Sequence, residues 1–173
     1  MVEITSSDIY KLKKRDKKTF EKVFFLFSNK LSAFVNCYIK DKSATWDIVQ
    51  NTFIKVIRDI NKYDRLKSTF KTWLFTIGKN EALSYLKSNE KKYISYNDDI
   101  SYFKEERGSG FKIEELKGKL NPNEYIIIIL KFCNNFTIKE IATFFNYSMK
   151  KTRIEYSKVM KKTKRILEEM LEL

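Results

Sequence analysis

Residues 136–160 read FTIKEIATFFNYSMKKTRIEYSKVM, and this stretch decides the fold class. Thr137-Ile-Lys-Glu140 has the spacing of a capping box, a hydroxyl at the N-cap and a carboxylate three residues on. It predicts a helix from about Ile138 to Phe145. Asn146-Tyr147 breaks the pattern, because asparagine tolerates the left-handed backbone of a tight turn. Ser148 then caps a longer helix that carries on towards Leu173. A short helix, a turn of three or four residues and a long second helix have the layout of a helix-turn-helix. Ala142 is small where the two helices must cross. Ile141, Phe145 and Tyr147 are expected between them, with Thr152, Tyr156 and Val159 as the inner face of the second. Lys150, Lys151, Arg153, Ser157 and Lys158 are left facing outward.

Eight basic residues and one acid, Glu155, lie between Met149 and Arg165. A helix that presents such residues on its first turns suits duplex DNA: its leading side chains meet base edges while flanking cations neutralise phosphates. Upstream, Asn121-Pro-Asn-Glu124 is a second helix start, with Asn as N-cap, proline at the first helical position and Glu completing the box.

Residues 1–87 also read as helices. Phe20, Phe24, Phe27, Leu31, Phe34, Val35 and Tyr38 recur at spacings of three and four, the period of a helix with one buried face. A second helix is predicted from about Ser43 to Asn61, burying Val49, Phe53, Val56, Ile57 and Ile60. Its other face carries Asp47, Gln50, Asn51, Ile54 and Arg58. A third runs from about Thr69 to Ser88, with Phe70, Trp73, Leu74, Ile77, Ala82, Tyr85 and Leu86 inside. Lys71, Phe75, Lys79, Leu83 and Lys87 follow one another at i, i+4 steps on what is expected to be its open face, beside Asn80. The short basic loop 62–68, with Lys62, Arg65 and Lys67, leads into it. Rings beside positive charge suit a single strand, whose bases stack while its backbone meets lysine.

Between these halves, residues 88–111 mix charge with polar residues and end in Gly108-Ser109-Gly110, with no sustained helical period. The expected architecture is all-α: two small helical domains, 1–90 and 112–173, joined by a flexible linker over 91–111. Composition agrees. The 173 residues carry 35 Lys or Arg against 22 Asp or Glu, a net charge of +13 that favours a polyanionic partner. One proline and four glycines argue against a turn-rich β fold.

Several chemistries are excluded. The chain has no histidine, which removes the usual zinc sites and histidine general bases. Cys37 and Cys133 stand alone, in neither a disulfide framework nor a metal-ligand spacing. Asp98-Asp99 lies in the expected linker and Asp64 in a loop without an acidic partner, so a two-metal nuclease is disfavoured. No catalytic residue, metal, cofactor or small-molecule substrate is expected. The opening MVEITSSDIYKLKK lacks an apolar leader core, and the longest apolar run, Tyr125 to Leu130, is far short of the roughly 20 residues of a membrane crossing. A soluble, cytoplasmic protein is therefore expected.

Taken together, Asp47-Ile-Val-Gln-Asn-Thr-Phe-Ile-Lys-Val56, Tyr63-Asp64 and Phe70-Lys-Thr-Trp-Leu-Phe-Thr-Ile-Gly-Lys-Asn80 resemble the second conserved region of sigma-70 family factors. The helix-turn-helix resembles their fourth region. The short chain matches the extracytoplasmic-function (ECF) branch. What the resemblance implies is a non-enzymatic initiation factor that joins core RNA polymerase, through its β and β′ subunits, to promoter DNA. Asp47, Gln50, Asn51 and Ile54 would meet the β′ coiled coil. Lys62, Arg65, Lys67, Lys71, Trp73, Phe75, Lys79, Asn80 and Lys87 would handle the opened −10 element, with Asn80 near the pocket for a flipped base. Ser148, Lys150, Lys151, Arg153, Ser157 and Lys158 would read the −35 element. An anti-sigma factor is a further partner implied by the resemblance. Asn51 stands where the family usually has an acid, Lys150 and Lys151 where small residues are common, and Glu155 where a base is common. The rival reading is a stand-alone helix-turn-helix regulator of duplex DNA.

Overall fold

The computed structural model describes residues 4–39, 41–88 and 113–171. They belong to two compact units, Met1–Ile94 and Ser95–Leu173. The linker expected over 91–111 lies outside the described residues. Among those residues helices are the regular elements, and the one β contact is an isolated bridge between Lys117 and Leu120.

Unit 1 contains α1 (Ser6–Lys13), α2 (Lys17–Val35), α3 (Lys42–Asp59), a 3-10 turn (Ile60–Lys62) and α4 (Phe70–Ser88). Each of the first three helices starts on a side-chain cap. Thr5 and Asp8 form a reciprocal capping box on α1. Asp16 accepts from the Thr19 amide at 2.8 Å to open α2, and Asp41 accepts from the Ala44 amide at 3.1 Å to open α3. Helix α1 is absent from the sequence-based expectation, although Thr5-x-x-Asp8 is a legible start signal. The Lys22–Asp8 ion pair at 2.9 Å ties it to α2.

Helix α4 packs on both α2 and α3. At its crossing with α2, a Cβ built on Gly78 would lie 2.7 Å from Leu31 Cδ1, so any larger residue there would force the buried Leu31 side chain to move. The core is aromatic: Phe34 meets Phe75 at 5.2 Å between ring centres, and Phe24 meets Phe53 at 4.9 Å. Lys55 of α3 pairs with Glu81 of α4 at the edge of this core.

That packing corrects one expectation. Phe75 is not on an open stripe; it is completely buried against Phe34. A helix wedged between two others hides a broad arc, and the i, i+4 row through Lys71, Phe75 and Lys79 starts inside that arc. The row reaches solvent only at Leu83 and Lys87. Periodicity alone reveals one buried face; it says nothing of a second neighbour.

Unit 2 contains a 3-10 turn (Ile113–Leu116), α5 (Pro122–Ile128) continuing into a π turn (Ile129–Cys133), α6 (Ile138–Phe145) and α7 (Met149–Leu171). Both predicted capping boxes form. Asn121 accepts from the Glu124 amide at 2.9 Å and Glu124 returns the bond at 2.8 Å. Thr137 accepts from the Glu140 amide at 3.2 Å, and Glu140 accepts from the Thr137 amide at 2.8 Å. Glu124 also takes Lys162 at 2.7 Å, clamping α5 to α7. One ring is exchanged. Phe144, rather than Phe145, is the buried ring of α6, edge-on to Phe136 at 6.3 Å. Phe145 is half-buried and stacks on Tyr147 at 5.4 Å.

Candidate nucleic-acid interface

In unit 2 the site follows from local chain geometry. Asn146 sits at φ 54°, ψ 44°, the left-handed conformation that ends α6 and turns the chain. Ser148 then accepts from the Lys151 amide at 3.2 Å and sets the start of α7. Thr152, Val159 and Thr163 point inward at one-turn or two-turn steps and are buried. The same geometry leaves Ser148, Lys150, Lys151, Arg153, Ser157 and Lys158 all exposed. Lys151 lies 3.7 Å from the centre of the Tyr147 ring, which steadies it at the mouth of the turn. Lys158 meets Glu155 at 3.4 Å, so Glu155 offsets part of the charge one turn into the row. This surface has few acids and stands on a rigid helix.

In unit 1 the loop after α3 is ordered by its own polar groups. Asp64 Oδ1 accepts from the Leu66 amide at 2.9 Å, and its carbonyl accepts from the Lys67 amide at 3.2 Å. The Tyr63 hydroxyl donates to the Ser68 carbonyl at 3.1 Å. Burial pushes the Tyr63 phenol up from its ordinary value. Tyr63, Phe70 and Trp73 form a ring cluster, with centres 5.3 Å apart for Tyr63–Trp73 and 5.9 Å for Phe70–Trp73. The loop therefore offers its cations from a fixed frame.

Lys62, Arg65 and Lys67 are exposed, as are Asn80 and Lys87. Lys71, Trp73 and Lys79 are half-buried, and burial pushes the Lys79 ammonium down from the usual lysine range. Lys62 is already paired with Asp59 at 2.9 Å. Hydrogen bonds from Arg58 and Lys62 hold the Asp59 carboxyl at about 2. Phe75 falls out of the site, since a buried ring cannot stack on a base. Sequence reasoning missed Leu66. It is 92% exposed between Arg65 and Lys67, at the loop tip. The available signal was an apolar residue in a loop with no periodic partner.

The outer face of α3 is intact. Asp47, Gln50, Asn51 and Ile54 are exposed together, with Ile54 60% open to solvent. They oppose Ile48, Val49, Thr52, Phe53 and Val56, which are buried. An isoleucine left bare among polar neighbours suits contact with another protein. Among the described residues no group of three His, Cys, Asp or Glu is placed to hold a metal, and no helix is long and apolar enough to cross a membrane.

Comparison with known proteins bears on the same residues. A family profile described as sigma-70 region 2 matches residues 27–92, which hold the α3 face, the basic loop and α4. SigX of Bacillus subtilis strain 168, an ECF RNA polymerase sigma factor, is 23% identical over 89% of this chain and 88% of its own. SigV of the same strain, an RNA polymerase sigma factor, is 27% identical over 68% of this chain and 73% of its own. The ECF factor SigM is 29% identical, but over only 47% of this chain and about half of its own, 48%. Among solved structures, the sigma factor RpoE of Bartonella quintana, in complex with the anti-sigma factor NepR, superposes with a TM-score of 0.67 at 20% identity. That match covers 87% of this chain and 98% of the other. CnrH, in complex with the cytosolic domain of CnrY, superposes with a TM-score of 0.66 at 16% identity, over 93% of this chain and 95% of the other. These likenesses establish the all-α fold. The profile and the named relatives add that residues 27–92 are similar to sigma-70 region 2 and that the chain as a whole is similar to ECF RNA polymerase sigma factors.

Proposed function

We propose that this chain directs core RNA polymerase to specific promoters and helps to open their −10 element, while the polymerase performs the chemistry. The observation that carries the reading is the division of labour within one chain. Unit 1 joins an exposed α3 face with a bare Ile54 to a basic loop ordered by its own hydrogen bonds, and unit 2 carries a capped helix-turn-helix with its cations outward. A duplex reader alone needs only the second.

Each surface then has its role. Asp47, Gln50, Asn51 and Ile54 dock on the polymerase β′ subunit. Arg65, Lys67, Lys87 and the half-buried Lys71, Trp73 and Lys79 meet the displaced strand, with Lys62 contributing what its pairing to Asp59 leaves. Asn80, exposed on α4, reads an unstacked base through its amide. Lys150, Lys151 and Arg153 enter the major groove of the −35 element from the first turns of α7, backed by Ser148, Ser157 and Lys158. The protein works in the cytoplasm, with the polymerase. Two structural neighbours are each bound to a partner, named in one case as an anti-sigma factor, and an inhibitor of that kind is a partner proposed for this chain also.

Transcription by purified core polymerase plus this protein on a promoter library is the test, with transcript ends mapped. Discrete starts that share a −10 and a −35 element are expected, and Asn80→Ala should lower open-complex yield while leaving duplex binding intact. Failure to bind core polymerase, with duplex binding retained, would overturn the proposal in favour of a stand-alone regulator.

A further inference from the structure

The most concentrated charge in the chain lies outside all of these surfaces. From Lys11 to Lys18 the sequence is KLKKRDKK: Lys11, Lys13, Lys14, Arg15, Lys17 and Lys18, with one acid, Asp16. All six cations are exposed. The segment is a folded corner. The amides of Lys14, Arg15 and Asp16 donate to the carbonyls of Tyr10 (3.2 Å), Leu12 (2.9 Å) and Lys11 (3.1 Å), and Arg15 takes the left-handed conformation, φ 59°. Helix α1 is clamped below it by Asp8–Lys22, and α2 leaves it from the Asp16 cap.

Nearby acids offset the corner only in part, Asp16 interacting with Lys11 and Lys18. Asp8 is engaged by Lys22, Asp16 Oδ1 by the amide and hydroxyl of Thr19 at 2.8 and 2.6 Å, and Glu21 reaches Lys17 only at 3.9 Å. Fixed cations at this density repel one another, which is tolerable when an anion relieves them. Tyr10 is 63% exposed beside them, with the Lys14 amine 5.9 Å from its ring centre. The helix that leads into the corner also meets the loop of unit 1: α1 packs on the 3-10 turn, and at its opposite end Arg65 Nη1 donates to Ser6 Oγ at 2.6 Å.

We propose that the Lys11–Lys18 corner with Tyr10 is a further contact for single-stranded DNA, extending the strand path of the basic loop across α1. This rests on the promoter-opening reading. Two features favour a strand over other polyanions. A bare ring among cations suits an unstacked base. A membrane surface would need an apolar face, and α1 turns Leu12 inward and leaves Tyr10 as its one large exposed apolar side chain.

The test uses the full chain assembled with core polymerase, on fluorescein-labelled forked promoter DNA with an unpaired −10 strand and on the matching full duplex. The variant replaces Lys11, Lys14, Lys17 and Lys18 by glutamine. Lys17 and Lys18 lie at the start of α2, where the helix dipole disfavours cations, so their loss does not cost the fold, and the Lys17→Gln/Lys18→Gln pair provides a second, safer variant. On the fork, affinity should fall about tenfold or more, and the slope of log K against log salt should shrink by about 2 to 3, at roughly 0.7 for each phosphate no longer neutralised. Tyr10→Ala should weaken fork binding alone. An unchanged slope for both lysine variants overturns the inference. So does an equal loss on duplex. Arg65→Gln/Lys67→Gln separates the two readings. If that pair reduces fork binding and the corner variants do not, only the corner falls; if neither does, the strand site on unit 1 falls with it.

Discussion

The two units bury their helices to different depths, and this governs how each presents charge. In unit 2, α7 uses one face for packing, through Thr152, Val159, Thr163 and Ile166, and keeps its opposite face bare. Along its first turns core and cation rows are separate, so Lys150 or Lys151 can change without touching the fold, unlike Lys162, which clamps α7 to α5. In unit 1, α4 lies against both α2 and α3, and Lys71 and Lys79 are half-buried on either side of the fully buried Phe75. There the residues proposed to face a strand are also packing residues. On the proposed function, specificity in unit 2 is therefore open to substitution, whereas in unit 1 it is tied to stability.

Phe75→Ala should produce the largest effect and would break this comparison most directly. Deleting a buried ring leaves a cavity and costs about 3–5 kcal/mol. Both tryptophans, Trp46 and Trp73, belong to unit 1, so the loss is read as an earlier denaturation midpoint by tryptophan fluorescence. Duplex binding by unit 2 should persist. A loss below about 0.5 kcal/mol, the range of an ordinary surface change, would return Phe75 to the open face.

Lys150→Gln/Lys151→Gln is the reciprocal case. Stability should stay within about 0.5 kcal/mol, while the salt slope of duplex binding falls by about 2, at roughly 0.9 for each phosphate released. Unchanged duplex affinity would move the recognition surface away from the start of α7. A change in unfolding midpoint would show that unit 2 also mixes packing with charge.

A smaller effect sharpens the picture of unit 1. The Thr5 amide, with help from Lys22 and the Thr5 hydroxyl, holds Asp8 at about 2, well below the usual carboxylate range. A depressed acid stabilises the fold above its unfolded pKa of about 3.9, and that contribution disappears as pH falls towards about 2. Asp8→Ala should cost about 1–2 kcal/mol at pH 7, from the lost cap and ion pair. Urea titrations at pH 7 and near pH 2 check the sign, since wild type and variant should converge in acid. A gap that survives near pH 2 would remove the ionised carboxylate as its cause.

Much was legible in the residues themselves because it rests on short-range chemistry. Asn121…Glu124 and Thr137…Glu140 announce helix starts through bonds between residues three apart, and Asn146 marks its turn through its own φ and ψ. The open face of α3 and the outward row of α7 follow from helical period alone, since each helix keeps one side clear. The exchange of Phe144 for Phe145 was not legible. A 100° step separates adjacent positions, both are phenylalanine, and only Phe136 across the unit selects between them.

Local sequence thus determined the caps, the turn, the helical period and the surplus of positive charge, because neighbours along the chain suffice for each. Tertiary structure decided which residues α4 leaves exposed. A helix with two neighbours hides more than one face, and that number is a property of the assembled unit. It also decided that Arg65 and Ser6, fifty-nine residues apart, meet, bringing the basic loop to α1 and making one surface from two stretches of chain that a linear pattern keeps apart.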